Sequence, residues 1–138
     1  FISTLAVGIM QRALDEAVAY AKQRKQFGRR LIDFEMVQAM LADMAIKTEA
    51  ARVLVNNCMR QMDAGEMVRK DGAIVKTFVT DAMQEVVSNA VQVLGGYGYS
   101  EEYPVEKLMR DAKIFQIFEG SNQIQRMTIA KELDREYR

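Results

Sequence analysis

Apolar residues recur at spacings of three and four over three long stretches of the chain, with charged and polar residues between them. Leu5, Ile9, Ala13, Ala17 and Tyr20 line one face of a first helix. That helix continues to about Gln26 and is stopped by Gly28, with Arg24 and Lys25 in the last turn, where cations are favoured. Asp33 is placed to cap a second helix, whose stripe runs through Val37, Met40, Met44, Ala51, Leu54, Val55, Cys58 and Met62 and ends before Gly65. At ~1.5 Å per residue this helix exceeds about 40 Å. A third runs from near Val68 to Leu94, turning Ile74, Phe78, Ala82, Val86, Ala90 and Val93 inward, and Gly95-Gly96 ends it. The segment Gly95-Gly96-Tyr97-Gly98-Tyr99-Ser100 breaks the period. Helix resumes around Pro104, behind Glu101 and Glu102, and fails near Glu119-Gly120. Ser121 or Asn122 can cap a last helix, with Asn122 and Gln125 at capping-box spacing. The pattern predicts an all-α fold, an up-and-down four-helix bundle with a short extra helix, forming one domain over residues 1–138.

Composition narrows the chemistry more than the fold. A single proline leaves the long stretches free of the strongest helix breaker. Lys+Arg 19 against Asp+Glu 19 gives no net field to recruit nucleic acid or an anionic membrane. No apolar run approaches the roughly 20 residues that span a bilayer, so no membrane insertion is expected. Cys58 alone cannot build a disulfide framework and points to a reducing compartment, cytoplasmic, or the mitochondrial matrix in a eukaryote. With no histidine, proton chemistry near neutral pH falls to a carboxylate, a tyrosine or a lysine. The chain starts at Phe1 already in helical pattern, without a cap or turn, which is the look of an excised fragment whose sites are completed by residues upstream.

Three places can carry chemistry. Glu119 follows the apolar run Ile114-Phe115-Gln116-Ile117-Phe118 at a helix break before a glycine. A carboxylate there can be desolvated and tuned toward general-base work, and it can equally be a capping or solvated residue. The glycine turn at 95–98 can bring backbone amides near a phosphate, although a helix C-cap is the simpler reading. Arg24-Lys25-Gln26-Phe27-Gly28 combines guanidinium, amide and aromatic at a helix end and can hold a pyrophosphate beside a ring, or be a plain basic last turn. The ten methionines read as core filler, and Tyr97, Tyr99 and Tyr103 as loop packing.

Taken in order, Gln11-Arg12-Ala13-Leu14-Asp15-Glu16-Ala17, Arg24-Lys25-Gln26-Phe27-Gly28, Leu41-Ala42-Asp43-Met44, Gln92-Val93-Leu94-Gly95-Gly96-Tyr97-Gly98-Tyr99, Glu102-Tyr103-Pro104-Val105-Glu106-Lys107-Leu108-Met109-Arg110-Asp111-Ala112-Lys113 and Phe118-Glu119-Gly120-Ser121-Asn122-Gln123-Ile124-Gln125-Arg126 resemble the C-terminal helical domain of acyl-CoA dehydrogenases, over about Leu5 to Leu133. The resemblance implies FAD as cofactor, an acyl-CoA substrate, a homodimer or homotetramer, and electron-transfer flavoprotein as electron acceptor. It implies that a helical domain and a small β-barrel domain precede this one.

Under that resemblance Glu119 is the base that removes the α-proton, and Gly120 lines the acyl-thioester end of the pocket. Arg24, Gln26 and Phe27, with Gln92, Val93, Leu94, Gly95 and Gly96, would contact the FAD of a neighbouring subunit, while Ser121 and Gln123 would touch the chain's own. Glu35 departs from the family, which often has glutamine there, and a carboxylate beside pyrophosphate would repel it. Two alternatives remain: a helical oligomerisation module without chemistry of its own, and a relative running as an enoyl-CoA reductase or acyl-CoA oxidase.

Overall fold

The first apolar stripe folds as a helix whose Ala13 and Ala17 are buried as expected, while Leu5, Ile9 and Tyr20 give the core to their neighbours Ala6, Met10 and Ala21. In the computed structural model, which describes residues 2–137, α1 spans Ile2–Gln23 and fully buries Ala6, Met10, Ala13, Ala17 and Ala21. Phe1, expected to open this helix, lies outside the described residues. Leu5, expected inside, is 63% exposed because it sits about 100° around the helix from Ala6. Four of the six buried positions are alanine, so α1 approaches its neighbours with little side-chain bulk between the axes.

The helix stops at Gln23, three residues early, because residues 25–30 form a hairpin instead. β1 (Lys25–Gln26) and β2 (Arg29–Arg30) pair antiparallel, Lys25 with Arg30 and Gln26 with Arg29. Phe27 (φ 52°) and Gly28 (φ 76°) form the two-residue turn between them, the left-handed pair that matches strand twist. A single 3₁₀ turn, Leu31–Asp33, leads to α2, Glu35–Asp63. Asp33 does not cap that helix: Arg30 donates to both its carboxylate oxygens at 3.0 and 2.8 Å, and Phe34 stands at the N-cap without a side-chain bond. Glu35 in the first turn complements the helix dipole.

α2 buries Leu41, Met44, Thr48, Ala51, Val55 and Cys58, the Thr48 hydroxyl donating to Met44 O at 2.7 Å, whereas Met62 is exposed past the end of the contact. α3, Arg69–Leu94, is the centre of the bundle and packs against α1, α2, α4 (Val105–Ala112) and α5 (Asn122–Glu136). Contacts on several sides bury Val75, Val79, Met83, Val86, Val87 and Ala90. They leave Ile74 and Phe78, expected inside, on the outer stripe that continues through Glu85 and Gln92. The core-filler reading holds for Met10, Met44 and Met83 only; Met40 is half-buried and the other six methionines are exposed, lying on outer helix faces and connections. The all-α bundle stands, with three long helices and two shorter ones among the described residues.

After α3 the chain turns through a 3₁₀ helix, Gly95–Tyr99, opened by Gly95 at φ 62°. Gly98 is buried there, and a Cβ on it would meet Val91 O at 2.6 Å and Leu94 Cβ at 2.9 Å. Gly98→Ala is expected to destabilise the protein by about 1–3 kcal/mol, since backbone and not a flexible tip must give way. Urea denaturation checks this, and a change below about 0.5 kcal/mol would mean that the turn slides freely off α3.

Candidate functional site

Two aromatic rings set the approach to Glu119. Phe115 is buried and Phe118 half-buried, their centroids 5.1 Å apart and edge-on, which pins the 3₁₀ turn Lys113–Gln116 to the core. Ile114 and Ile117 face outward, so the run does not enclose the carboxylate as expected; Glu119 is exposed. The backbone then takes two left-handed residues in succession, Glu119 at φ 54° and Gly120 at φ 83°. For a glutamate that conformation is disfavoured and persists only where surroundings enforce it.

Those surroundings are polar and specific. Ser121 caps α5, its Oγ accepting from the Ile124 amide at 3.4 Å. Gln125 Nε2 donates to the carbonyls of Glu119 (3.1 Å) and Gly120 (3.3 Å), so Asn122 and Gln125 do not form the expected capping box. Asn122 is buried against α3 instead. Lys76, 7% exposed, donates through Nζ to Gly120 O at 2.9 Å and to Asn122 Oδ1 at 2.6 Å. Asn122 Nδ2 donates to Thr80 Oγ1 (2.8 Å) and Asp81 Oδ1 (2.7 Å), and Asp81 also accepts from Gln116 at 2.7 Å and Arg126 at 2.6 Å. Burial lowers the Lys76 pKa, partly offset by the Asp81 charge. Burial alone would raise the Asp81 carboxyl, but hydrogen bonds from Arg126, Gln116 and Asn122 hold it below its ordinary value. Lys76, Thr80 and Asp81 were not singled out from sequence, and Asn122 was read only as a capping residue; the signal for Lys76 was a lysine inside the apolar window from Ala73 to Val79.

Glu119 and Gln125 stand at the rim of a cavity of about 560 Å³ walled by Val55, Cys58, Val75 and the first turn of α1. Gly120, Ser121 and Gln123 lie with Glu119 at the start of α5. The other candidates gather at the far end of α1. Arg24, Gln26, Val93, Leu94, Gly95 and Gly96 line one cleft of about 670 Å³. There the Arg24 guanidinium lies 5.5 Å from the centroid of the Tyr97 ring, and Tyr97, Tyr20 and Tyr103 pack edge-on or tilted against one another. Burial raises the Tyr20 hydroxyl pKa, with Arg24 opposing. Tyr99 is 85% exposed and takes no part in that loop packing. Gln92 is exposed and outside this cleft's lining, while Phe27 and Glu35 share a neighbouring groove of about 520 Å³ with Gln26. At ~1.5 Å per residue α1 separates the two groups by roughly 30 Å. Among the described residues no helix is long and apolar enough to cross a membrane.

A family model described as the C-terminal domain of acyl-CoA dehydrogenases matches residues 2–133. A probable acyl-CoA dehydrogenase of Mycobacterium tuberculosis, FadE25, is 50% identical over 133 residues, 96% of this chain and 34% of its own. The caffeyl-CoA reductase-Etf complex subunit CarC of Acetobacterium woodii is 44% identical over 129 residues, 94% of this chain and 34% of its own. The butyryl-CoA dehydrogenase structure from Megasphaera elsdenii superposes with a TM-score of 0.94 at 46% identity, covering 96% of this chain and 34% of that one. The chain thus spans about a third of the length of these relatives.

The depressed Asp81 carboxyl ties stability to acid. Its folded pKa lies below the unfolded value, so its contribution is present above the unfolded pKa, about 3.9, and is lost as pH falls through the folded one. Asp81→Asn should lower the melting temperature at neutral pH and flatten the acid limb. Parallel melting curves for wild type and variant down to pH ~2 would refute a role for this carboxylate.

Proposed function

Because this chain belongs to the acyl-CoA dehydrogenase family as its C-terminal helical domain, we propose that it is one domain of a longer flavin-dependent enzyme that oxidises an acyl-CoA thioester to the 2,3-enoyl-CoA. The observation that carries the proposal is Glu119: a carboxylate held on a left-handed turn at a cavity rim, by bonds to its own and the next carbonyl. In that role Glu119 removes the α-proton and Gly120 lines the thioester end. The exposed carboxylate acquires its low-polarity surroundings from substrate and from the domains that precede this one.

The residues fit FAD chemically. The cleft at the hairpin end offers a guanidinium, an amide and open glycine backbone, with nothing within 4 Å of where a Cβ would stand on Gly95 or Gly96. The start of α5 offers free backbone N–H groups beside Ser121 and Gln123. When bound, the flavin supplies acceptance of the β-hydride. The roughly 30 Å between the two groups supports a cofactor shared between subunits of a homodimer or homotetramer: Ser121 and Gln123 touch the chain's own, and Arg24, Gln26, Phe27 and residues 92–96 touch a neighbour's. An electron-transfer flavoprotein is the proposed electron acceptor, which the Etf complex named for the Acetobacterium relative supports. The same relative's reductase name favours a second reading, the reverse reaction on an enoyl-CoA.

Glu119→Gln in the full-length enzyme keeps shape but cannot accept the proton. Acyl-CoA and FAD should still bind while flavin reduction slows by about 10²–10⁴-fold in stopped-flow absorbance. Reduction within a fewfold of wild type would sink the assignment.

Glu35 lies in the groove with Gln26 and Phe27, where a carboxylate repels pyrophosphate. Glu35→Gln should therefore retain FAD more tightly through gel filtration. Unchanged or weaker retention would count against the repulsion and leave the first-turn charge serving α2.

A further inference from the structure

We propose that Lys76, acting through Gly120 and Asn122, is a positioning residue that sets the height and aim of the Glu119 carboxylate. The proposal rests on the reading of Glu119 as the base. Lys76 stands on the central helix, and its ammonium reaches past the helix surface to the carbonyl adjacent to Glu119, 2.9 Å away, and to the side chain that opens α5, 2.6 Å away. It donates to a backbone carbonyl and to a side-chain amide oxygen, not to a carboxylate: the loop backbone fixes the first acceptor, and the bonds of Asn122 to Thr80 and Asp81 fix the second.

Asn122 makes the arrangement directional. Its oxygen accepts from Lys76 while its nitrogen donates to Asp81 and Thr80, so the amide can be seated one way only. Asp81 is held from two further sides by Gln116, just before Phe118, and by Arg126, one turn into α5. Both ends of the loop that carries Glu119 are therefore tied by directional bonds to one small patch of α3, in addition to the contact of Phe115 with Phe118 that seats the preceding turn.

Magnitudes separate positioning from plain stabilisation. Loss of the Lys76 donor does cost the fold, but Gly120 O keeps Gln125 and Asn122 Oδ1 keeps Thr80 as donors, so neither acceptor is left unpaired. Catalysis is less forgiving, since a misplacement of about 1 Å can cost about 10²-fold. Lys76→Met keeps the stem and removes the donor, so it should harm aim more than fold.

The test uses full-length enzyme carrying Lys76→Met, and Asn122→Ala as a second variant should the first fail to fold. Flavin reduction at saturating acyl-CoA should fall about 10- to 100-fold, while FAD content and thioester affinity stay within about threefold. Hydrogen exchange should quicken at the amides of residues 119–125 and stay unchanged at Val79 to Val87 in α3. In a Glu119→Gln background, Lys76→Met should slow reduction little further, because a positioning residue acts only through the group it positions. Reduction within about twofold of wild type with unchanged exchange at 119–125 would overturn the proposal. So would an undiminished loss in the Glu119→Gln background, or collapse of both variants, either of which assigns the cluster to general stability. Should Glu119→Gln alone reduce at the wild-type rate, the base assignment fails, and the exchange measurement then decides whether Lys76 sets the loop.

Discussion

The last helix is docked by directional polar bonds, and the geometry around Glu119 depends on that dock. Among its described residues Asn122 is the only one buried, while Ile124, Met127 and Leu133 remain about half exposed. What joins α5 to α3 is a row of polar contacts: Lys76 and Asp81 with Asn122, Asp81 with Arg126, and toward the far end Arg69 with Glu132 and Lys70 with Glu136. The exposed pairs in that row contribute little individually. The buried set near Asn122 decides the register, because a lost bond there leaves a desolvated group unpaired. α1 is the opposite case, seated by an alanine stripe whose contacts are apolar and close.

That contrast explains what the sequence could and could not disclose. The three long helices, the glycine breaks and the Ala13 and Ala17 part of the first stripe follow from periodicity, which is a local property. Leu5, Ile74 and Phe78 were misplaced because two adjacent positions can both satisfy a helical period, and only the neighbours choose between them; Met62 keeps the period but lies beyond Cys58, the last buried residue of α2. The hairpin at 25–30 escaped notice because all four strand residues are exposed and polar and the turn pair is Phe-Gly, without the Asn-Gly signal. Lys76 escaped because a lysine on a helix normally marks a solvated face, and Asn122 because a helix start invites a capping reading. The Phe118-Glu119-Gly120 motif was readable, but its exposure was not, since solvent access at a turn depends on what packs from other elements.

Backbone conformation supplies an independent pointer to the same residues. Phe27 and Glu119 are the non-glycine residues at positive φ among those described, and each is followed by a glycine that is also left-handed. Such conformations cost free energy and survive where something enforces them. For Glu119 the enforcing bonds are all present: Gln125 on both carbonyls, Lys76 on Gly120, and the Ser121 cap beyond. For Phe27 the hairpin dictates the turn, yet asparagine or glycine would fit it better, and the ring is 92% exposed. An aromatic kept at that cost on an open turn suits contact with something outside this chain, which agrees with the proposed neighbouring flavin.

The two left-handed turns stand at opposite ends of α1, and that helix acts as a ruler between them. Its alanine face leaves few side-chain degrees of freedom through which the bundle could shear, so the spacing of roughly 30 Å is a fixed property of the domain. In the proposed enzyme such a chain would contribute to two sites at once: one end offers a carboxylate on a held turn, the other a cleft with cation, amide and glycine backbone. Under the proposed sharing of a cofactor across subunits, this limitation would become a coupling. The alanine-packed ruler would then fix the distance between the carboxylate of one site and the cofactor contacts of the next, so that a change at either end is felt through assembly and not through the bundle's own flexibility.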